Sequence, residues 1–485
     1  MSILKKLTGR LGPLTKDYRE KGSVLKIAFF VLLFFLPLYP KFPLTEVAGT
    51  YVSIRLEDWV VLAAVLAWGI WQMKKGFPIF RQKIFKLFLI YWLAGLVSLA
   101  SSIWITRAVD WRLGLFHFFR RIEYMSVFLV AFDAFNYIST LELSFGLSFA
   151  VMGVFAYGLG QKYLGLPVIS TMNEEFSKGL LLTLDKWTRI SSTFAGHYDL
   201  AAWLVMILAL LPALVASVKN KLLKVWLFLA GVGSFYLLVL TASRISYVAY
   251  LVGITVTLIL LKRWIWLPLV LGVSLLCGFQ SKELNTRLAS SLASVVPQNQ
   301  EGGVDKSELP SVPTATISPE KTPVATATPT PEPEIPGTAP KKERKIVVRE
   351  VRTWPKPEEV AAAAARSSEI RFAVEWPRAV RAFLRNPILG SGFSSLGLAT
   401  DNDYLRILGE TGLLGFLSFG LIVFHLIISA LLSLLKGKKV IMAGFLGLIL
   451  GFLANGIFID VFAASKDAFY FWLLAGGLYR VSINE

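Results

Sequence analysis

Long apolar runs recur along the chain and constrain its fold more than any other feature. Hydrophobic residues make up 55% of the 485 residues and charged residues only 17%, which is far from the balance of a soluble domain. A helix needs ~20 mainly apolar residues to cross a bilayer. Runs near that length predict an all-α polytopic membrane protein with about 12 transmembrane helices. Their centres lie near residues 32, 65, 95, 128, 149, 208, 232, 253, 271, 422, 448 and 474.

The net charge of +18 is distributed as membrane topology requires, and no nucleic-acid partner is expected. Basic residues crowd the N-terminus and follow the second, sixth, eighth and tenth predicted spans, which puts them all on one side of the membrane. This pattern predicts cytoplasmic termini, contact with anionic membrane lipids and a long loop outside. The first apolar run ends in Pro37-Leu-Tyr-Pro40 without a small-residue cleavage site, so a retained helix is expected rather than a signal peptide.

The chain carries none of the common metal or nucleotide signatures. Cys277 is the only cysteine, and its place inside an apolar run indicates a small buried side chain. The three histidines, His117, His197 and His425, are too scattered for a zinc site. With no Walker motif and no dinucleotide fingerprint, the sequence predicts neither a metal nor a cofactor.

Composition divides the chain into three parts. Residues 1–279 form a predicted N-terminal bundle of about nine helices, residues 280–404 an extracytoplasmic loop, and residues 405–485 about three further helices. Within the loop, residues 296–344 are rich in Pro and Thr with almost no large apolar side chain, which predicts a disordered linker. Residues 358–385 show apolar residues at helical spacing and predict an amphipathic helix, and Pro377 is expected to kink it.

Two arginines stand near the outer face, against the general trend of charge. Arg189 precedes the sixth predicted span, and Arg244 lies in Leu240-Thr-Ala-Ser-Arg244 between the seventh and eighth. A charge at that depth is costly and usually has a partner or a function. Each arginine could snorkel to water or pair with a carboxylate such as Asp185. Two guanidinium groups on one face also suit a diphosphate, because they bind phosphate oxygens in a bidentate manner.

Several short motifs, in this order, resemble the O-antigen ligase/polymerase superfamily. They are Arg120-Arg-Ile-Glu-Tyr124, Arg189 with Ser192-Thr-Phe194, Leu240-Thr-Ala-Ser-Arg244, Asn386-Pro-Ile-Leu-Gly-Ser-Gly392, and Asn402-Asp-Tyr-Leu405 with Gly409-Glu-Thr-Gly-Leu-Leu-Gly415. The helix number and the single large loop before the tenth predicted span also agree with that family.

The resemblance implies a membrane glycosyltransferase of GT-C-like architecture in the bacterial cytoplasmic (inner) membrane. Its donor would be an undecaprenyl-diphosphate-linked glycan, and its acceptor a glycan, a lipid or a protein outside the membrane. By the same resemblance, Arg189, Arg244 and Arg371 would hold the donor diphosphate. Arginines on the leaving diphosphate stabilise charge that grows in the transition state.

One position departs from the family pattern. Ligases carry a histidine before the Asn-x-Tyr-Leu motif, whereas this chain has Asp401. An aspartate can also act as a general base when an apolar site raises its pKa. Asp401 and Asn402 are equally suited to capping the next helix, and Asp403 or Glu410 could take the role of base instead. Further residues expected to support the site are His197, Asn402, Asp403, Tyr404, Glu410, Arg121 and Glu123.

A membrane transporter of an anionic or glycan-lipid solute is the alternative function. Many spans with intramembrane arginines would suit an anion pathway. A transporter usually has two related halves with broken helices and charges near the midplane. The sequence shows no convincing repeat, and its polar residues cluster at one face, so the enzyme is preferred.

Overall fold

Helices dominate the fold. The computed structural model describes residues 16–46, 53–170, 180–182, 189–280, 370–397, 399–437 and 440–484. Each of the twelve predicted centres lies within one of the long helices. These are α1 (Lys16–Leu38), α2 (Leu56–Lys74), α3 (Lys83–Trp104), α4 (Trp111–Ala134), α5 (Thr140–Leu164), α6 (His197–Ser217), α7 (Lys221–Thr241), α8 (Arg244–Leu260), α9 (Trp266–Gln280), α11 (Asp403–Leu435), α12 (Ile441–Asn455) and α13 (Ser465–Ile483); a short helix, α10 (Trp376–Arg385), precedes α11.

The prediction of an all-α membrane protein is confirmed. In the part of the chain that the structure describes, six helices are long and apolar enough to cross a membrane, namely α2, α3, α5, α6, α7 and α11. The total of about twelve spans and the GT-C-like architecture stay predictions. Two small antiparallel hairpins interrupt the helices, formed by β1 (Pro43–Glu46) with β2 (Ser53–Arg55) and by β3 (Val168–Ser170) with β4 (Leu180–Leu182).

Local sequence determines where several helices begin. The Asp110 side chain accepts hydrogen bonds from two backbone N–H groups at the start of α4. Ser139 and Glu142 form a reciprocal capping box at α5, and Ser243 caps α8. Such caps satisfy N–H groups that have no partner within the helix. The one at α8 fixes the start of that helix at Arg244.

Helix α12 packs closely on α6 and α8. Small residues allow this approach: a Cβ on Gly253 of α8 would lie 2.9 Å from the Gly447 carbonyl oxygen, and one on Gly451 would lie 3.2 Å from the Ala249 carbonyl oxygen. Close packing through small residues is the usual way in which helices associate in a bilayer. It brings the ends of α6, α8 and α12 together at one face.

Between the end of α9 at Gln280 and the start of α11 at Asp403, the structure describes residues 370–397 and 399–402. A π-helical turn, Arg371–Glu375, runs directly into α10, with Pro377 at the second position of α10. The predicted amphipathic helix is therefore helical from residue 370, although the segment changes from π to α geometry near Pro377. The predicted linker 296–344 and residues 358–369 lie outside the described residues. The division into residues 1–279, 280–404 and 405–485 stays a prediction.

Candidate functional site

Backbone hydrogen bonds hold the segment Asn386–Gly392 against helix α11 at the point where that helix is interrupted. Gly412 has φ 63° and ψ −165°, which interrupts the helix. The N–H groups of Ser391 and Gly392 donate to the carbonyls of Gly409 and Glu410, each at 2.8 Å. Beyond the break, the N–H groups of Leu413 and Leu414 donate to the carbonyls of Pro387 and Ile388 at 2.8 and 3.1 Å. The backbone N–H and C=O groups that lack a partner within the interrupted helix therefore form hydrogen bonds with the segment Asn386–Gly392.

Two glycines make this contact possible. A Cβ on Gly390 would lie 2.5 Å from the Gly412 nitrogen, and one on Gly412 would collide with the Ile388 carbonyl. The backbone angles at Gly412 also belong to a region that essentially only glycine occupies. The two glycine-containing motifs of the sequence thus form one structural unit.

Asp401 and Asn402, both suited to capping, have different roles at the start of α11. Asn402 is the cap, because its Oδ1 accepts the Leu405 N–H at 2.9 Å. Asp401 has a left-handed backbone (φ 51°), and its Oδ2 accepts from Arg371 Nε at 2.7 Å. The alternative in which Asp401 caps the helix is therefore wrong, since its carboxylate points to the loop arginine instead.

Asp460 holds this turn in place and was not singled out in the sequence. Its carboxylate accepts the backbone N–H groups of Thr400, Asp401 and Asn402 at 2.7, 3.0 and 3.2 Å, and Arg406 donates to it at 2.8 Å. Burial acts to raise the pKa of Asp460, but Arg406 and the backbone donors outweigh it, so the pKa is lowered. Asp460 is therefore an anion that fixes the backbone around Asp401. A signal existed, because Asp460 is the first acidic residue after Glu410 and stands between two apolar helices.

The Asp401 carboxyl retains some access to solvent while its arginine partner is buried. The side chain of Asp401 is 32% exposed, against 6% for Arg371. Burial raises the pKa of Asp401, Arg371 opposes this effect, and Asp460 adds to it. The result is a carboxylate with raised basicity next to a guanidinium, at the surface of the site.

Arg244 lies near enough to the other two predicted arginines to be affected by their charge, although the three are distant in the sequence. Arg244, the first residue of α8, interacts electrostatically with both Arg371 and Arg189. Arg189 lies beside the first residue of α6, with its Nη1 2.6 Å from His197 Nε2. Helices α6 and α8 pack together and are joined by one returning helix, α7, so their N-termini share a face. Helix N-termini carry partial positive charge. The arrangement suits an anionic ligand.

The remaining predicted residues divide into three groups: Arg121 with Glu410, Glu123, and Asp403 with Tyr404. Arg121 and Arg406 approach the buried Glu410 carboxylate at 3.8 and 3.4 Å, and Arg121 also donates to the Phe462 carbonyl. Glu123 lies apart from this network: it pairs with Arg120 at 3.3 Å. Arg120 also pairs with Asp58 and therefore ties α4 to α2.

Asp403 and Tyr404 connect α11 to its neighbours. The Asp403 carboxylate accepts the Phe462 N–H at 3.1 Å, and the Tyr404 hydroxyl donates to the Leu453 carbonyl at 2.7 Å. Both contacts are to backbone and hold α11 against α12 and the following turn. Among the described residues, no group of three or more His, Cys, Asp or Glu side chains could hold a metal ion.

Comparison with known proteins finds a family model that matches the part of the chain that contains several of these residues. Residues 229–420 match the family model described as O-Antigen ligase, which confirms the resemblance inferred from the short motifs. The matched range includes Arg244, Arg371, Asp401 and Glu410, and ends before Asp460. No curated protein matches the chain.

Proposed function

From the premise that this chain carries an O-antigen ligase domain, we propose that it transfers a glycan from an undecaprenyl-diphosphate carrier to a hydroxyl group on the outer side of the bacterial cytoplasmic membrane. The family supports a ligase- or polymerase-type membrane enzyme that acts on lipid-linked glycans. The observation that carries the finer proposal is that Arg244 interacts with both Arg189 and Arg371 while Arg371 is hydrogen-bonded to Asp401. Acceptors of three kinds fit it: another glycan, a lipid or a protein.

The donor diphosphate lies among Arg189, Arg244 and Arg371. Like charges brought together repel one another, and an anion between them removes that cost. The N-termini of α6 and α8 add partial positive charge on the same side. Guanidinium groups bind phosphate oxygens in fixed, bidentate geometry, so this set orients the donor as well as binding it.

Asp401 serves as the base that accepts the proton of the acceptor hydroxyl. The hydroxyl oxygen forms a bond to the anomeric carbon of the donor sugar, while the bond from that carbon to the diphosphate oxygen breaks. The electron pair leaves with the lipid diphosphate, whose growing charge the arginines stabilise. Donor phosphate that draws Arg371 away from Asp401 also raises the basicity of that carboxylate, because the guanidinium acts to lower its pKa.

Reconstitution in liposomes tests the donor site. Purified protein, an undecaprenyl-diphosphate-linked glycan and a mixture of candidate acceptors are combined, and transferred glycan is measured. Arg189→Ala and Arg244→Ala should each lower transfer by about 10²-fold or more, as losses of charge-stabilising groups do. Arg480→Ala is the matched control, since Arg480 lies on α13 and donates to Asn136 Oδ1 at 2.9 and 2.7 Å. If Arg189→Ala and Arg244→Ala both left glycan transfer intact, the diphosphate site would be refuted.

The same liposomes separate transfer from transport. An enzyme of the proposed kind forms a new glycosidic bond and releases undecaprenyl diphosphate in equal amount. A transporter moves the intact lipid-linked glycan or anion across the membrane and forms no such bond. Passage of unaltered donor without bond formation would favour the transporter. In cells, surface glycans and carrier-linked intermediates, compared with and without the protein, identify which acceptor is used.

A further inference from the structure

The buried segment that carries Arg189 is fastened by two polar side chains that the reaction itself does not use. Residues 190–195 are at most 6% exposed, and Ser192 within them has a left-handed backbone (φ 49°). The segment leads directly into His197, the partner of Arg189. A loop that is buried in this way needs partners for its backbone polar groups. Those partners come from α5 on one side and from α13 on the other.

Gln161 of α5 binds both backbone polar groups of Ser192. Its Oε1 accepts the Ser192 N–H at 2.7 Å, and its Nε2 donates to the Ser192 carbonyl at 2.7 Å. The same Nε2 donates to the Pro167 carbonyl at 3.1 Å. Gln161 is only 2% exposed. The Gln161 amide therefore pairs with both backbone polar groups of Ser192, as a neighbouring strand would, and holds the left-handed backbone of Ser192 in place.

Lys466 of α13 holds the next residue of the segment. Its Nζ donates to the Thr193 carbonyl at 2.8 Å and to the Pro37 carbonyl at 3.4 Å, and it lies 4.7 Å from the centre of the Phe194 ring. Thr193 Oγ1 also donates to the Pro37 carbonyl at 2.5 Å. Lys466 is 1% exposed. A lysine side chain buried this deeply in a membrane protein is costly, which indicates a function for its position.

We infer that Lys466 and Gln161 are positioning residues for Arg189: together they fix the segment that presents this arginine to the donor diphosphate. The inference rests on the proposed function, because it assigns these residues to the donor side of that site. A displaced segment would leave Arg189 in the protein but outside reach of the ligand. Misplacement of a binding group by about 1 Å can cost roughly 10²-fold in rate.

A double-mutant cycle tests the inference in the reconstituted protein. Lys466→Met and Gln161→Met should each lower kcat/KM for the lipid-linked donor about tenfold or more. In the Arg189→Ala background each should lower it by less than about threefold, because residues that act through one group are not additive. Thr257→Val is the control: it removes a buried hydrogen bond to the Ala209 carbonyl far along α8 from Arg244, and it should have little effect in either background. If Lys466→Met and Gln161→Met lowered kcat/KM by the same factor in the Arg189→Ala background as in the wild-type protein, the positioning role would be overturned.

Hydrogen exchange of the segment's amides tests the anchoring without any substrate. Exchange in residues 189–196 should rise in Lys466→Met and Gln161→Met, and stay unchanged in Thr257→Val. Unchanged exchange in both anchor variants would overturn the inference even if activity falls. If exchange rises but Arg189→Ala leaves donor kinetics intact, the anchoring stands and the proposed diphosphate site fails. The two failures are thus distinguishable, and Gln161→Met keeps the test valid if Lys466→Met does not fold.

Discussion

At the start of α11, two adjacent residues allow catalysis and folding to be separated. Because Asn402 provides the helix cap, Asp401→Asn should keep the fold and lose most transfer, since an amide cannot accept the proton. Asn402→Ala should lower the free energy of unfolding by about 1 kcal/mol through loss of the cap. Thermal unfolding in detergent measures both variants. Normal transfer by Asp401→Asn would exclude this carboxylate as the base.

The pH dependence of transfer should identify the same carboxylate. The base must be deprotonated, so kcat/KM should fall as the pH drops through the raised pKa of Asp401. Arg371 acts to lower that pKa, so Arg371→Gln should move the acid limb of the profile to higher pH as well as weakening donor binding. The rate is followed from acidic to neutral pH for both proteins. A limb that stays in place would indicate that another group titrates.

Asp460 stands out in the sequence as an isolated carboxylate between apolar helices, but its partners could not be predicted from the sequence. It contacts residues about 60 positions away, mostly through their backbone N–H groups, and no spacing rule reports such contacts. Asp460→Asn should destabilise the protein by about 2 kcal/mol, because Arg406 and three backbone N–H groups lose a charged acceptor, although Arg406 keeps Glu410. Loss of thermal stability together with transfer is expected. If the Asp460→Asn protein unfolded at the wild-type temperature, the role assigned to the Asp460 carboxylate would be contradicted.

The break in α11 gives a prediction at the scale of the helix. Gly412→Ala should destabilise the protein by at least ~2 kcal/mol, because alanine is strained at these backbone angles and its Cβ would strike the Ile388 carbonyl. Gly420→Ala is the matched control in the same helix: nothing lies within 4 Å of its added Cβ, and the change should stabilise the helix by up to about 1 kcal/mol. Equal unfolding temperatures for the two variants would show that the close contact between Gly412 and the segment Asn386–Gly392 does not stabilise the protein.

Elements were predictable from sequence to different degrees, for physical reasons. The apolar runs placed a helix at each predicted centre, because the length needed to cross a bilayer is fixed and every backbone group must be satisfied within the segment. The glycines near residues 390 and 412 signalled unusual backbone but not their mutual contact, which consists of backbone hydrogen bonds that carry no side-chain signature. The resemblance proposed Arg189, Arg244 and Arg371 as one set, whereas their convergence depends on the packing of α6, α8 and the loop.

At the scale of the whole molecule, the chemistry depends on which face is outside. Arg244 begins α8, Arg189 contacts His197 at the start of α6, and Asp401 lies two residues before α11. The lysine clusters follow the opposite ends of the helices. Positive residues favour the cytoplasmic side, and a glycan acceptor of the proposed kind is outside. The two requirements agree only if residues 370–403 face outward. Opposite orientation would put the site where no extracytoplasmic acceptor can reach it.

Thiol labelling in intact cells tests this orientation. In a Cys277→Ser background, which removes the only native cysteine, Arg107→Cys and Lys219→Cys introduce single thiols at exposed positions between α3 and α4 and between α6 and α7. A membrane-impermeant maleimide should label Arg107→Cys in intact cells and Lys219→Cys only after the membrane is opened. Both thiols must react in detergent, which controls for local access. The reverse pattern would place the arginines in the cytoplasm, and an undecaprenyl-linked donor already carried to the outer leaflet could then not be the substrate.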